Sequence, residues 1–173
     1  IENLIRCGVD GLDPIQKVSG MEPDGLKADF GDRLCLHGGI DTQHLLPRGT
    51  PEEVKAEAKR FIDALDQDKA KTAEEIRILA DSYFFSEAYD RAEPALKEVL
   101  ELRTDDIKYQ TYLAITYARN GKNVLAEEMV QEIELARAPY QYGAVDYALA
   151  QYHGALGNQD QALNNLLKAV AAG

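Results

Sequence analysis

The residues best able to do chemistry sit in the first third of the chain. Cys35 and His37 stand two apart, Asp41 follows the pair Gly38-Gly39, and His44 comes three residues later. A thiol, two imidazoles and a carboxylate at such spacing are the raw material of a metal site or of proton transfer. Each also has a plainer role. His37 and His44 have no nucleophile or acid beside them in sequence, so neither is expected to form a dyad or triad. Asp41 is expected to cap the turn that follows the glycines. Cys7 and Cys35 are the only cysteines. They are too few for a disulfide framework and are expected to be buried, reduced thiols. No catalytic residue, metal site or cofactor is predicted from these groups.

The elements that position them are short and punctuated by glycine and proline. Residues 1–7 read as the end of a helix with Leu4 and Ile5 inward, stopped by Gly8. Residues 9–12 read as a strand, Pro23–Phe30 as a helix and residues 34–37 as a second strand. Thr50, Pro51 and Glu53 then combine a capping hydroxyl, a proline at the first helical position and a capping-box carboxylate. Val54, Ala58, Phe61, Ile62 and Leu65 form the stripe that this helix would bury. The alternation implies parallel strands joined by crossovers. Near Ala64 the composition changes. Glycine thins out, while alanine, leucine, glutamate and lysine take over, and the polar stretch 66–72 reads as a linker.

Three ordered blocks in the N-terminal part carry a resemblance: Gly8-Val9-Asp10-Gly11-Leu12-Asp13-Pro14-Ile15-Gln16, then Gly31-Asp32-Arg33-Leu34-Cys35-Leu36-His37-Gly38-Gly39-Ile40-Asp41-Thr42-Gln43, then Leu45-Leu46-Pro47 followed by Gly49-Thr50-Pro51-Glu52-Glu53-Val54. Residues 1–65 resemble the late portion of the uroporphyrinogen decarboxylase and corrinoid methyltransferase superfamily. The resemblance implies two of the eight strands of a closed (β/α)8 barrel, with Asp41 at a strand end where such barrels place site residues. The family's carboxylate-handling arginines and aspartate come largely from earlier strands, and its histidine motif follows the matched region. Its zinc-binding branch uses His-x-Cys and a later cysteine, whereas Cys35-x-His37 has the reverse order.

The second part repeats itself. Leu79, Ala80, Tyr83 and Ala92 recur as Leu113, Ala114, Tyr117 and Ala126, and again as Leu149, Ala150, His153 and Ala162, after steps of 34 and 36 residues. Such a period predicts stacked helical hairpins. Leu96, Val130 and Leu166, then Val99, Ile133 and Ala169, continue the pattern. Gly121 and Gly157 fall at the turns, with Glu87 in the first unit where its turn is expected to differ. Pro94 is read in the first turn of a second helix, where it is tolerable. Residues 73–173 resemble tetratricopeptide repeats, with units at 73–106, 107 to about 140, and 143 to the end. The fold class predicted is therefore mainly α: about three repeat units preceded by a small α/β segment.

In that family the first helix of each unit lines a concave groove. Helical spacing then assigns outward positions to Arg77, Asp81, Phe84 and Phe85, to Lys108, Thr111, Ile115 and Arg119, and to Tyr147 and Gln151. A mixture of basic, aromatic and polar groups could hold an extended peptide or a partner helix, although Phe84 and Phe85 could equally pack on the preceding segment. Some members clamp a chaperone's C-terminal carboxylate. The corresponding positions here hold Arg77, Asp81, Tyr112, Ala144 and Ala148, so that clamp is mostly missing. Leu166, Leu167 and Val170 leave the third unit apolar, to be covered by further repeats, by an oligomeric copy or by the N-terminal segment.

Charge narrows the partners. Residues 1–65 carry 12 acidic against 8 basic side chains, and residues 66–173 carry 18 against 11, which disfavours nucleic acid. No apolar run reaches the ~20 residues of a membrane span, and no basic-then-apolar leader opens the chain, so a cytoplasmic location is expected. Ile1 in place of methionine suggests a fragment or a processed product. The function read from these features is a protein-protein interaction scaffold rather than an enzyme. The alternative is a piece of a decarboxylase-like enzyme, for tetrapyrrole decarboxylation or corrinoid-linked methyl transfer, inactive without its missing strands.

Overall fold

A computed structural model describes residues 1–16, 20–67, 72–139 and 141–172, without the side chains of residues 64–67. Among the described residues the chain is mainly helical and carries one two-stranded parallel sheet. Among the described residues no helix is long and apolar enough to cross a membrane. The chain divides into two compact units, Ile1–Ala64 and Leu65–Gly173. Of the linker expected at 66–72, residues 68–71 lie outside the described residues, as does Tyr140 at the expected end of the second repeat.

In the first unit the elements are α1 (Glu2–Arg6), β1 (Gly11–Ile15), α2 (Pro23–Phe30), β2 (Cys35–Gly38), α3 (Leu45–Arg48) and α4 (Pro51–Gln67). β1 and β2 run parallel, with Gly11 opposite Cys35, Leu12 opposite Leu36 and Ile15 opposite Gly38. β1 begins two residues later than the sequence pattern suggests. Asp10 is the first to pair, its carbonyl accepting from the Cys35 amide at 2.7 Å, and the strand runs on until Ile15 enters the core. Ile15, Leu26 and Leu34 are the buried apolar centre. Gly39, at φ 102°, permits close packing, since a Cβ there would lie 3.2 Å from both the Phe61 ring and Pro23. Thr50 and Glu53 form the expected capping box: the Thr50 amide donates to Glu53 Oε2 at 2.8 Å and the Glu53 amide to Thr50 Oγ1 at 3.3 Å. Val54, Ala58, Phe61 and Ile62 are half-buried, and the side chain of Leu65 lies outside the described ones. Two expectations fail here. Leu4 is exposed rather than inward, because α1 is too short to cover it. Cys7 and Cys35 are also exposed: one ends α1, and the other lies on the open face of a sheet only two strands wide.

In the second unit six helices form three hairpins: α5 (Ala73–Phe85) with α6 (Tyr89–Leu102), α7 (Ile107–Arg119) with α8 (Asn123–Leu135), and α9 (Ala144–Ala155) with α10 (Gln159–Ala172). Leu79, Leu113 and Leu149 are buried, as are Ala80, Ala114 and Ala150 beside them. Small residues at these places let neighbouring helices approach closely. Ile133 of α8 and Val145, Ala148 and Leu149 of α9 make one apolar cluster, with Ile107, Met129 and Val130 packed against it. Pro94 lies inside α6 rather than in its first turn. Its missing amide leaves the Asp90 carbonyl without the usual intrahelical donor.

All three hairpins turn in the same way. Glu87, Gly121 and Gly157 have φ of 59°, 74° and 79°. In each turn the following amide closes back across it, Ala88 to the Tyr83 carbonyl at 2.9 Å, Lys122 to Tyr117 at 2.8 Å and Asn158 to His153 at 2.9 Å. The first turn therefore does not differ from the others. A side chain in left-handed conformation costs about 1–2 kcal/mol, partly offset by the lower chain entropy lost by a non-glycine residue. A Cβ at Gly121 or Gly157 meets nothing within 4 Å, so backbone strain alone decides the outcome there. Urea unfolding should show Glu87→Gly stabilising the helical unit by about 0.5–1 kcal/mol, and Gly121→Ala or Gly157→Ala destabilising it by a similar amount.

Two charged clasps tie successive helices. Arg137 holds Asp146 through two bonds of 2.7 and 2.6 Å. Glu93, 8% exposed, accepts from Lys97 at 2.7 Å, Lys122 at 2.8 and 2.7 Å, and Asn120 at 3.1 Å. Burial pushes the Glu93 carboxyl up, but the hydrogen bonds from Lys122, Lys97 and Asn120 outweigh it and hold its pKa at about 2. Because the folded value is depressed, this stability is present above the ordinary carboxylate range and is lost as pH falls through it toward 2. Glu93→Gln should lower stability at neutral pH by about 1–3 kcal/mol, the lysines being half exposed. It should also flatten the decline of wild-type stability between about pH 4.5 and 2, as measured by chemical unfolding across that range.

Candidate protein-binding face

α5, α7 and α9 are the first helices of the three hairpins, and the side chains on their open side define the candidate face. Phe84 stacks on Tyr112 with centroids 4.1 Å apart and ring planes at 8°. Phe85 meets the edge of Tyr112 at 5.6 Å and Tyr109 does so at 6.1 Å. Lys108 lies over the Tyr109 ring at 4.6 Å and donates to Asp81 Oδ2 at 3.0 Å. Arg77 donates to Glu74 at 2.9 Å and to Tyr109 Oη at 3.3 Å. Burial pulls the Lys108 pKa down, yet its contacts with Asp81 outweigh this and raise it. Burial raises the Tyr112 phenol, partly opposed by Lys108. Both therefore keep their ordinary protonation at neutral pH, a cation and a neutral phenol. The arrangement is a packed aromatic cluster edged with paired charges: Tyr109 and Tyr112 are buried, Phe84 is half-buried and Phe85 reaches solvent, and no nucleophile is placed beside a base.

Not all the expected residues reach this face. Arg77, Asp81, Phe84, Phe85 and Lys108 are brought together around Tyr109 and Tyr112. Phe85 is 68% exposed and Tyr147 52%. Tyr147 lies close enough to Tyr112 to add slightly to the rise of its phenol pKa, after burial as the main cause. Gln151 is half-buried, and Arg119 donates to the Ala155 carbonyl at the end of α9. Thr111 and Ile115, expected to point outward, are buried instead. α7 packs against α6, α8 and α9, so its middle is covered on nearly every side, and Thr111 turns its hydroxyl onto the Ile107 carbonyl at 2.7 Å. Tyr109 and Tyr112 are the participants that outward spacing alone did not select. Tyr112 stands one helical turn after Lys108, a spacing that puts the two on one face. His153 packs edge-on to Tyr152 at 5.4 Å, with Nδ1 buried and unpartnered.

On the second helices a different surface is open. Leu163, Leu166, Leu167 and Val170 of α10 form an exposed apolar stripe at helical spacing.

In the first unit, Asp41 caps its turn as expected, accepting from the Gln43 and His44 amides at 2.9 Å each. His44 Nδ1 lies 3.4 Å from Asp41 Oδ2, and His37 also has an acidic partner, its Nδ1 lying 2.6 Å from Asp13 Oδ1. His37 and Asp13 are remote in sequence and meet only because parallel pairing sets Leu12 beside Leu36. Among the described residues no three His, Cys, Asp or Glu side chains are grouped as metal ligands.

No protein-family model, curated protein or solved structure matches the chain.

The hydrogen bond to Asp13 and its negative charge raise the His37 pKa above 6.5. An NMR titration should place the His37 midpoint above that value, and Asp13→Asn should return it toward 6.5. An unchanged midpoint in Asp13→Asn would show that the pair does not form in solution.

Proposed function

We propose that the chain is an interaction scaffold of tetratricopeptide-repeat type, with the α5–α7–α9 face binding a short segment or a helix of a partner protein. The single observation that carries this reading is a pair of rings in solvent on first helices: Phe85, set against the edge of the buried Tyr112, and Tyr147 of α9. Large rings exposed on a rigid helical support are the side chains that most often anchor interfaces. The repeated left-handed turns support the repeat assignment, because they give each hairpin the same closure at steps of 34 and 36 residues. The second reading, a decarboxylase-like piece, has the parallel β1–α2–β2 unit in its support.

A photo-crosslinking amino acid at position 147, with position 164 on α10 as control, tests the scaffold. Position 147 should capture a protein from cell extract that position 164 does not. The recombinant partner should then lose at least tenfold in affinity for a Phe85→Ala, Tyr147→Ala double variant, equivalent to about 1.4 kcal/mol. Equal binding by wild type and double variant would contradict the reading.

A further inference from the structure

Resting on that reading, we infer that the face selects an uncharged aromatic or large aliphatic anchor flanked by lysine or arginine, and that it discriminates against acidic segments. Every cation expected on the face is already engaged. Arg77 is held by Glu74 and the Tyr109 hydroxyl, Lys108 by Asp81 and the rings beneath it, and Arg119 by the Ala155 carbonyl. With the charge of Arg77 and Lys108 already matched by Glu74 and Asp81, an incoming carboxylate would gain only a share in an existing ion pair while giving up its own hydration. An apolar side chain faces no such exchange. It needs only to cover Phe85 and Tyr147, which are exposed, Phe85 being backed by the packed Phe84 and Tyr112 rings.

Long-range charge points to the same occupant. Residues 66–173 carry 18 acidic against 11 basic side chains, so the whole unit repels an anionic segment and draws a cationic one. Asp105 and Asp106 stand at the start of α7 and Glu74 in the first turn of α5, which puts carboxylates at the end of the face where those helices begin. Exposed rings can also accept a guanidinium or ammonium against their faces.

A random dodecapeptide library displayed on phage, selected on the full chain and counter-selected on the Phe85→Ala, Tyr147→Ala variant, tests the inference. Both substituted side chains are largely in solvent, so the variant should retain its helical circular dichroism. Enriched peptides should share an aromatic residue or leucine with a neighbouring lysine or arginine. As synthetic peptides, they should lose at least tenfold in affinity when the anchor becomes alanine. Changing the flanking basic residues to glutamate should cost fivefold or more at low salt. Enrichment of acidic peptides that depend on Lys108 and on the two rings would overturn this specificity while leaving a peptide-binding face. Absence of any enrichment over the double variant would overturn both.

Discussion

Each helical hairpin of the second unit depends on one residue taking a left-handed backbone between its two helices. At Glu87, Gly121 and Gly157 that conformation lets the next amide reach back across the turn and satisfy a carbonyl that the ending helix would otherwise leave open. The reversal brings the second helix down beside the first, where Ala80 with Ala92 and Ala114 with Ala126 are buried nearly completely. Larger residues there would force the helices apart and open the packing behind them. Two of the three turns use glycine, and the third tolerates a strained Glu87 because the rest of the hairpin enforces the geometry. The order of first helices, and with it the aromatic face, follows from this closure.

The same unit separates its charges by role. Glu93 and Asp146, the most buried of its paired acids, sit in clasps that join one helix to the next. On the face itself Lys108 and Arg77 are spent on Asp81, Glu74 and the Tyr109 hydroxyl, which holds the rings in position rather than leaving charge free for a ligand. Among the apolar groups left open are Phe85 and Tyr147 on this face, and the leucine and valine stripe on α10. Exposed apolar surface of this kind is costly to carry and marks places where another surface belongs.

Much of this organisation is legible in the residues. The 34- and 36-residue steps foretell three hairpins, and Thr50-Pro51 with Glu53 foretells the start of α4. The alternation in the first unit foretells a parallel pair. What escapes is set by tertiary neighbours. Outward positions on α7 cannot be read from spacing alone, because α6, α8 and α9 surround it and bury Thr111 and Ile115 as well as the expected inner residues. His37 finds Asp13 through strand register, which local sequence does not carry. Cys7 and Cys35 look like core residues by type, but a two-stranded sheet and a five-residue helix offer too little cover to bury them.

The measurement that goes most directly to the central claim is amide hydrogen exchange of the full chain with and without its partner segment, resolved by mass spectrometry. Slowed exchange in α5, α7 and α9, with α8 and α10 unchanged, is the result this account predicts. Slowed exchange confined to α8 and α10 would contradict it and move the binding surface to the apolar stripe of α10.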